Sequence, residues 1–301
     1  MSTASNAPSP SWAGLDTSSL GKGFEDYDID SRTPDAPGQL ARFQQRSEAV
    51  QGQQGIQQTT VSYGDHPLAA ADVFRPTSGA VRGTIVFVHG GYWKGKGRPN
   101  RAFLAPAWVN EGVQWINLGY PVVPETPMHE ISRHIGGALR AIVSGAAPFG
   151  MVEGPIVLSG NSAGAHLVAQ ALAQGLPESA PGRIAGYMLL SGLYDLRPVA
   201  ATPAQEWLRL DDEQAFRLSP LCQKAPQLRA PVMVAVGADE PDAFIAQSRA
   251  YAQHLLGHAQ VDYQEGEGLN HLSMIASLDG PQARFGRPMA AWLGLPGHAN
   301  A

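Results

Sequence analysis

Pro155-Ile-Val-Leu-Ser-Gly160-Asn-Ser-Ala-Gly164-Ala-His-Leu-Val-Ala-Gln170 holds an apolar run, a glycine-bearing turn and a helical stretch in immediate succession. Pro155 to Leu158 has the apolar, β-branched character of a strand buried on both faces. From Ala163 to Gln174 small and apolar residues predict a helix. Gly160-Asn-Ser-Ala-Gly164 must therefore turn the chain sharply from strand to helix, the setting in which a G-x-S-x-G pattern presents its serine hydroxyl. The flanking glycines are required because a Cβ on either side would collide where the backbone crosses. The helix N-terminus behind Ser162 directs free N–H groups at any negative charge that develops there. An ordinary glycine-rich turn matches five residues by chance; the strand before and the helix after give this match its weight.

Working outward, the same alternation recurs. Gly83 to Val88, Val113 to Leu118, Ile184 to Leu190 and Pro231 to Val236 are short apolar runs, and His129 to Val143 and Ala243 to Leu256 are helical stretches between or after them. Strands alternating with helices imply right-handed crossovers and a mainly parallel sheet. Upstream, Gln58 to Tyr63 and Ala69 to Phe74 alternate as an edge hairpin does, preceded by a helical stretch from Gly38 to Val50 with Pro34 and Pro37 as breakers. Gln260 to Gln264 supplies a last strand and Pro281 to Leu293 a closing helix. The expectation is an α/β fold with a mostly parallel central sheet of about eight strands, flanked by helices, in one domain over residues 21–297. Residues 195–227 break the alternation and are expected to form a short cap or lid. Residues 1–20, rich in Ser, Ala and Pro, read as a disordered tail.

Composition narrows the function classes. The 21 Lys and Arg against 26 Asp and Glu give a formal net charge of -5, which argues against nucleic acid and its demand for clustered cations. Cys222 stands alone, so no intrachain disulfide forms and a reducing compartment fits. No apolar run approaches the roughly 20 residues that span a bilayer, and no signal peptide is evident, so a cytoplasmic location is expected. Oligomeric state leaves no mark; a homodimer is compatible.

The turn at Ser162 needs partners. His89-Gly-Gly-Tyr-Trp93 follows the strand ending at Val88, where an H-G-G segment supplies oxyanion-hole amides. The hole would combine the N–H groups of Gly91, Tyr92 and Ala163, each worth on the order of 3 kcal/mol in a transition state. A serine hydroxyl also needs a base. Of nine histidines, His271 in Gly266-Glu-Gly-Leu-Asn-His271 lies late enough in the chain and on a loop after the last strand. His254 and His258 read as solvent-facing helix positions and His298 as part of a frayed end. The acid belongs to Gly237-Ala-Asp-Glu-Pro-Asp242, where Asp239, Glu240 and Asp242 compete and spacing cannot separate them. Tyr92 and Trp93 beside the hole would make an aromatic wall, and Tyr120 at a strand end and Asn161 beside the serine are further candidate contacts, with His89 and Gly90. His166 reads as a packed histidine, and Trp207 as a residue of the cap. No paired ligand spacing suggests a metal, and no cofactor is called for.

His89-Gly-Gly-Tyr-Trp93 together with Gly160-Asn-Ser-Ala-Gly-Ala-His-Leu167 resembles the kynurenine formamidase (arylformamidase) branch of the α/β-hydrolase superfamily. Tyr27 to Ala36, Phe244-Ile-Ala-Gln-Ser248 and Gly268-Leu-Asn-His271 resemble further segments of that family, so the likeness runs from about residue 24 to 293. The resemblance implies Ser162 as nucleophile, His271 as base and Glu240 as acid, with Asp239 second. Glu stands where the family more often has Asp. It implies hydrolysis of an N-formyl aryl amide, with a small aromatic amide or ester as ligand. A carboxylesterase or another aryl amide or carbamate hydrolase would use the same groups, and a hydrolase-like binding protein without catalysis is the third reading.

Overall fold

The computed structural model describes residues 24–95, 97–146, 148–176 and 183–298. The tail expected over residues 1–20 lies outside the described residues. Eight strands form one sheet: β1 (Ile56–Ser62), β2 (Ala70–Pro76), β3 (Gly83–Val88), β4 (Val113–Leu118), β5 (Ile156–Asn161), β6 (Ile184–Leu190), β7 (Val232–Gly237) and β8 (Val261–Gly266). Their spatial order is β1-β2-β4-β3-β5-β6-β7-β8. β1 with β2 and β2 with β4 are antiparallel, and the remaining neighbours are parallel.

β3, β4, β5 and β7 are buried along their whole length, which is why their sequences are mainly apolar rather than alternating, with Gln114 and Asn117 of β4 and Ser159 of β5 buried among the apolar residues. Successive side chains still go to opposite faces. Val86, Val88, Leu158, Leu189 and Val234 join one core layer, packed by helices α3 (Met128–Ser144), α4 (Ala163–Ala173) and α8 (Asp242–His254). Ile85, Phe87, Val157, Met188 and Met233 join the other, under α1 (Ala36–Glu48), α2 (Ala105–Asn110), α9 (His271–Ala276) and α10 (Gly286–Trp292). Each fully buried aliphatic side chain contributes about 1.5–3 kcal/mol through this burial.

The helix before β1 starts at Ala36, two residues ahead of the sequence expectation. The Asp35 side chain accepts from the Gly38 N–H, so Pro37 sits inside the first turn, where a missing N–H costs nothing. Residues 195–227 carry three short α-helices, α5 (Arg197–Ala200), α6 (Gln205–Leu208) and α7 (Asp212–Arg217), of four to six residues each, and a 3-10 turn at Pro220–Cys222.

The topology locates the site. The crossover after β3 leads outward to β4, whereas β5 to β8 add on the other side of β3. The strand order thus reverses between β3 and β5, and a crevice opens outside their C-terminal ends. The loops leaving those two ends begin at His89 and Ser162.

Candidate functional site

Ser162 sits at φ 56°, ψ −123°, between the last residue of β5 and the first of α4. Its N–H donates to the Leu190 carbonyl at 2.8 Å, and its carbonyl accepts the His166 N–H at 3.1 Å. The glycines explain how the turn fits. A Cβ on Gly164 would lie 1.9 Å from the Val88 carbonyl oxygen, and one on Gly160 2.6 Å from the Gly164 backbone. Helix α4 therefore lies directly against the end of β3. A Cβ on Gly90 would come within 2.9 Å of the Ser162 Cβ, so the loop after β3 passes beside the serine.

That loop runs left-handed: Gly91 at φ 121°, Tyr92 at 49° and Trp93 at 56°. The Gly91 carbonyl accepts the N–H groups of Lys94 and Gly95, at 3.1 and 2.8 Å. The amides of Gly91, Tyr92 and Ala163 have no hydrogen-bond partner among the described residues. Three unspent donors from two adjacent turns suit an oxyanion.

At the end of β7, Glu240 is buried. One carboxylate oxygen accepts the Gly237 N–H at 2.8 Å and the Ser191 hydroxyl at 2.5 Å; the other meets His271 Nδ1 at 2.5 Å. Asp239 is exposed and only its backbone N–H is engaged, with the Leu269 carbonyl. Asp242 opens α8. The turn and the histidine loop meet at Gly237, where a Cβ would fall 2.1 Å from the Leu269 carbonyl. His271 is the first residue of α9. Asn270 caps that helix by accepting from Leu272 and Ser273, and the Ser273 hydroxyl accepts the Asn270 N–H. Phe244 packs its edge against the imidazole, ring centroids 4.7 Å apart. Because a carboxylate only accepts, Nδ1 carries the hydrogen and Nε2 keeps its lone pair. Neither Nε2 nor the Ser162 hydroxyl has a hydrogen-bond partner among the described residues.

The other expected contacts are drawn into the protein. His89 is buried, with Nδ1 2.8 Å from the Gly90 carbonyl, stacked on Tyr120 at 4.3 Å. Burial drives its pKa down to about 3, so the ring is neutral. The Tyr120 hydroxyl donates to the His89 carbonyl at 2.9 Å. Trp93, expected in an aromatic wall, is fully buried, and its indole N–H donates to His166 Nδ1 at 3.1 Å. Tyr92 is half-buried; its hydroxyl donates to the Tyr27 carbonyl, and burial raises its pKa. Asn161 is buried with Nδ2 unpartnered. From the excursion, Trp207 meets the ammonium of Lys94, 3.5 Å from the ring centroid.

Two residues of the site were given no role by the sequence. Ser191, at φ 52°, holds Glu240, and Tyr27, from the N-terminal segment, packs on Phe244. Ser191 follows an apolar strand as Ser162 does, which was the available signal.

Among the described residues no cluster of three or more His, Cys, Asp or Glu is placed to hold a metal ion, and no helix is long and apolar enough to cross a membrane. A groove of about 560 Å³ beside the edge hairpin, lined by Tyr63, His66, Glu130, Arg133 and His134 among others, touches none of the residues above.

The model of the alpha/beta hydrolase fold family matches residues 85–275. A kynurenine formamidase of Salmo salar is 30% identical over 242 residues, covering 77% of this chain and 81% of the relative. A kynurenine formamidase of Danio rerio is 30% identical over 72% of this chain and 75% of its own length. Among solved structures, a protein of Silicibacter sp. TM1040 provisionally described as a thioesterase superposes with a TM-score of 0.76 at 28% identity, over 90% of this chain and 97% of its own. An esterase of Pyrobaculum calidifontis shares the fold at a TM-score of 0.65 and 16% identity, over 87% of this chain and 94% of its own. With its sheet order, its strand–serine–helix turn and these relatives, the chain belongs to the α/β-hydrolase fold family, is a hydrolase, and lies in the branch of the kynurenine formamidases.

Proposed function

We propose that the protein is a serine hydrolase that removes a small acyl group from an aryl amide, N-formylkynurenine being the leading substrate and kynurenine and formate the products. The observation that carries the reading is the buried Glu240–His271 pair, which leaves Nε2 as a free acceptor on the same sheet edge as Ser162. His271 Nε2 takes the Ser162 proton as the hydroxyl oxygen attacks the formyl carbon. The carbonyl oxygen becomes an oxyanion against the amides of Gly91, Tyr92 and Ala163. His271 then delivers the proton to the departing nitrogen as the C–N bond breaks. Water, deprotonated by the same imidazole, attacks the formyl ester and releases formate and the free serine. Glu240 stays ionised, fixing the tautomer and stabilising the imidazolium. Contact between hydroxyl and imidazole tightens when substrate fills the site, as is common for catalytic hydrogen bonds.

The formamidase relatives support an aryl amide over a plain ester. A second reading, a carboxylesterase or thioesterase with the same groups, has the Silicibacter structure in its favour. Turnover of N-formylkynurenine compared with short p-nitrophenyl esters and thioesters separates them. Faster formyl-amide cleavage is expected; ester cleavage without any formyl-amide cleavage would replace the first reading with the second.

A further inference from the structure

We propose that His166 is a positioning residue for this reaction: its ring ties the oxyanion turn at Gly91–Trp93 to the helix that follows Ser162 and to the excursion at residues 195–227. The inference rests on the serine-hydrolase reading above.

The hydrogen-bond polarity around the ring leaves one arrangement. His166 Nε2 lies 2.7 Å from the Leu218 carbonyl, which can only accept, so Nε2 carries the hydrogen. Nδ1 is then a lone pair, and it meets the indole N–H of Trp93, which can only donate, at 3.1 Å. The two rings stand perpendicular, 5.1 Å between centroids. Both rings are wholly buried, so neither bond is replaced by water. Burial also pulls the imidazole pKa down to about 4, keeping Nδ1 an acceptor at neutral pH.

Three elements converge on this ring. His166 lies on α4, and its own N–H bonds to the Ser162 carbonyl. Leu218 is the C-cap of α7, whose last carbonyls lack partners within that helix; Gln170, one turn along α4 from His166, takes the neighbouring Arg217 carbonyl at 2.9 Å. Trp93 closes the oxyanion turn. Tyr92 and Trp93 hold left-handed φ with bulky side chains, a conformation that costs about 1–3 kcal/mol each and persists only where outside contacts enforce it. The Tyr92 hydroxyl is held by the Tyr27 carbonyl, and the Trp93 indole by His166. The same helix thereby sets both the Ala163 amide and the turn that offers Gly91 and Tyr92. Loss of the indole–imidazole bond should let that turn relax and move its donors off the oxyanion while the ground-state pocket persists.

Trp93→Phe removes the donor and keeps a ring; His166→Phe removes both bonds; His166→Gln can restore both, accepting through Oε1 and donating through Nε2. The readouts are kcat, KM for the formyl amide, affinity for an aryl boronic acid that forms a tetrahedral adduct on Ser162, and affinity for the product aryl amine. The expectation is that Trp93→Phe and His166→Phe lower kcat by roughly tenfold or more, with KM within about threefold. Boronate affinity should fall in step, amine affinity should hold, and His166→Gln should recover most of the loss. The double variant should be no worse than His166→Phe alone, since the bond that Trp93→Phe breaks is one of the two that His166→Phe already removes. If His166→Phe does not fold, Trp93→Phe carries the test alone. Unchanged kcat and boronate affinity in Trp93→Phe would overturn the proposal, as would equal losses for boronate and amine. A wild-type protein that neither turns over substrate nor binds the boronate would instead remove the serine-hydrolase reading itself.

Discussion

The turns into β4 and β5, at one end of the parallel sheet, take their left-handed φ at Gly112 (78°) and Gly154 (120°). At the other end, where β3, β5 and β6 finish, the left-handed residues include Tyr92, Trp93, Ser162 and Ser191. Glycine reaches that region without steric cost, whereas each residue with a side chain costs about 1–3 kcal/mol. Every one of the four has a use for its side chain. Tyr92 bonds to the Tyr27 carbonyl, Trp93 to His166 and Ser191 to Glu240, and Ser162 offers a free hydroxyl. The two remaining non-glycine cases among the described residues, Asp35 and Arg209, have local reasons at helix ends. Strain in this molecule therefore concentrates at the end of the sheet where chemistry is proposed.

Four experiments test that contrast. Glu240→Ala should reduce kcat by about 10⁴-fold, because the imidazole loses its tautomer and its counter-charge; steady-state kinetics with the chain still folded by circular dichroism is the check. A smaller effect is expected at Ser191. Ser191→Ala and Ser191→Gly should each lower kcat about tenfold, since Glu240 keeps its Gly237 and His271 contacts. The glycine variant should be the more stable of the two by about 1 kcal/mol in urea unfolding, as it relieves the left-handed strain. Equal stability would mean that Ser191 is not strained. At the opposite end of the sheet, Gly112→Ala should cost about 1–2 kcal/mol of stability and leave kcat/KM within about twofold. Loss of activity there would break the division between the two ends.

The last test concerns pH. His166 and His89 protonate in the fold only near pH 4 and pH 3, against an ordinary value of 6.5. Between those limits the unfolded chain binds more protons, so stability is full above about pH 6.5 and declines as pH falls toward 4. Urea midpoints at pH 7 and pH 5 should differ accordingly, and His166→Gln should flatten the dependence. A midpoint that rises on acidification would contradict the neutral buried state.

The central strands were legible because burial on both faces leaves a mainly apolar run. Val113–Leu118 and Ile184–Leu190 begin and end where composition changes. Helices α5 to α7 were not legible, since four to six residues carry less than two turns of periodicity. In the candidate site, the constrained turn pointed to Ser162 and chain order to His271. Asp239 and Glu240 were not separable, because the choice depends on which carboxylate the Gly237 turn directs at Ser191 and His271. Trp93 was readable as an aromatic next to the turn, but the sign of its φ, which sends the ring inward to His166, leaves no trace in composition.

The central claim is that the hydroxyl of residue 162 is the attacking group. Incubation with a fluorophosphonate, followed by intact mass and peptide mapping, examines it directly. One adduct per chain, on the peptide containing Ser162 and lost together with turnover in Ser162→Ala, is the predicted result. An adduct on another residue, or full turnover by Ser162→Ala, would contradict it.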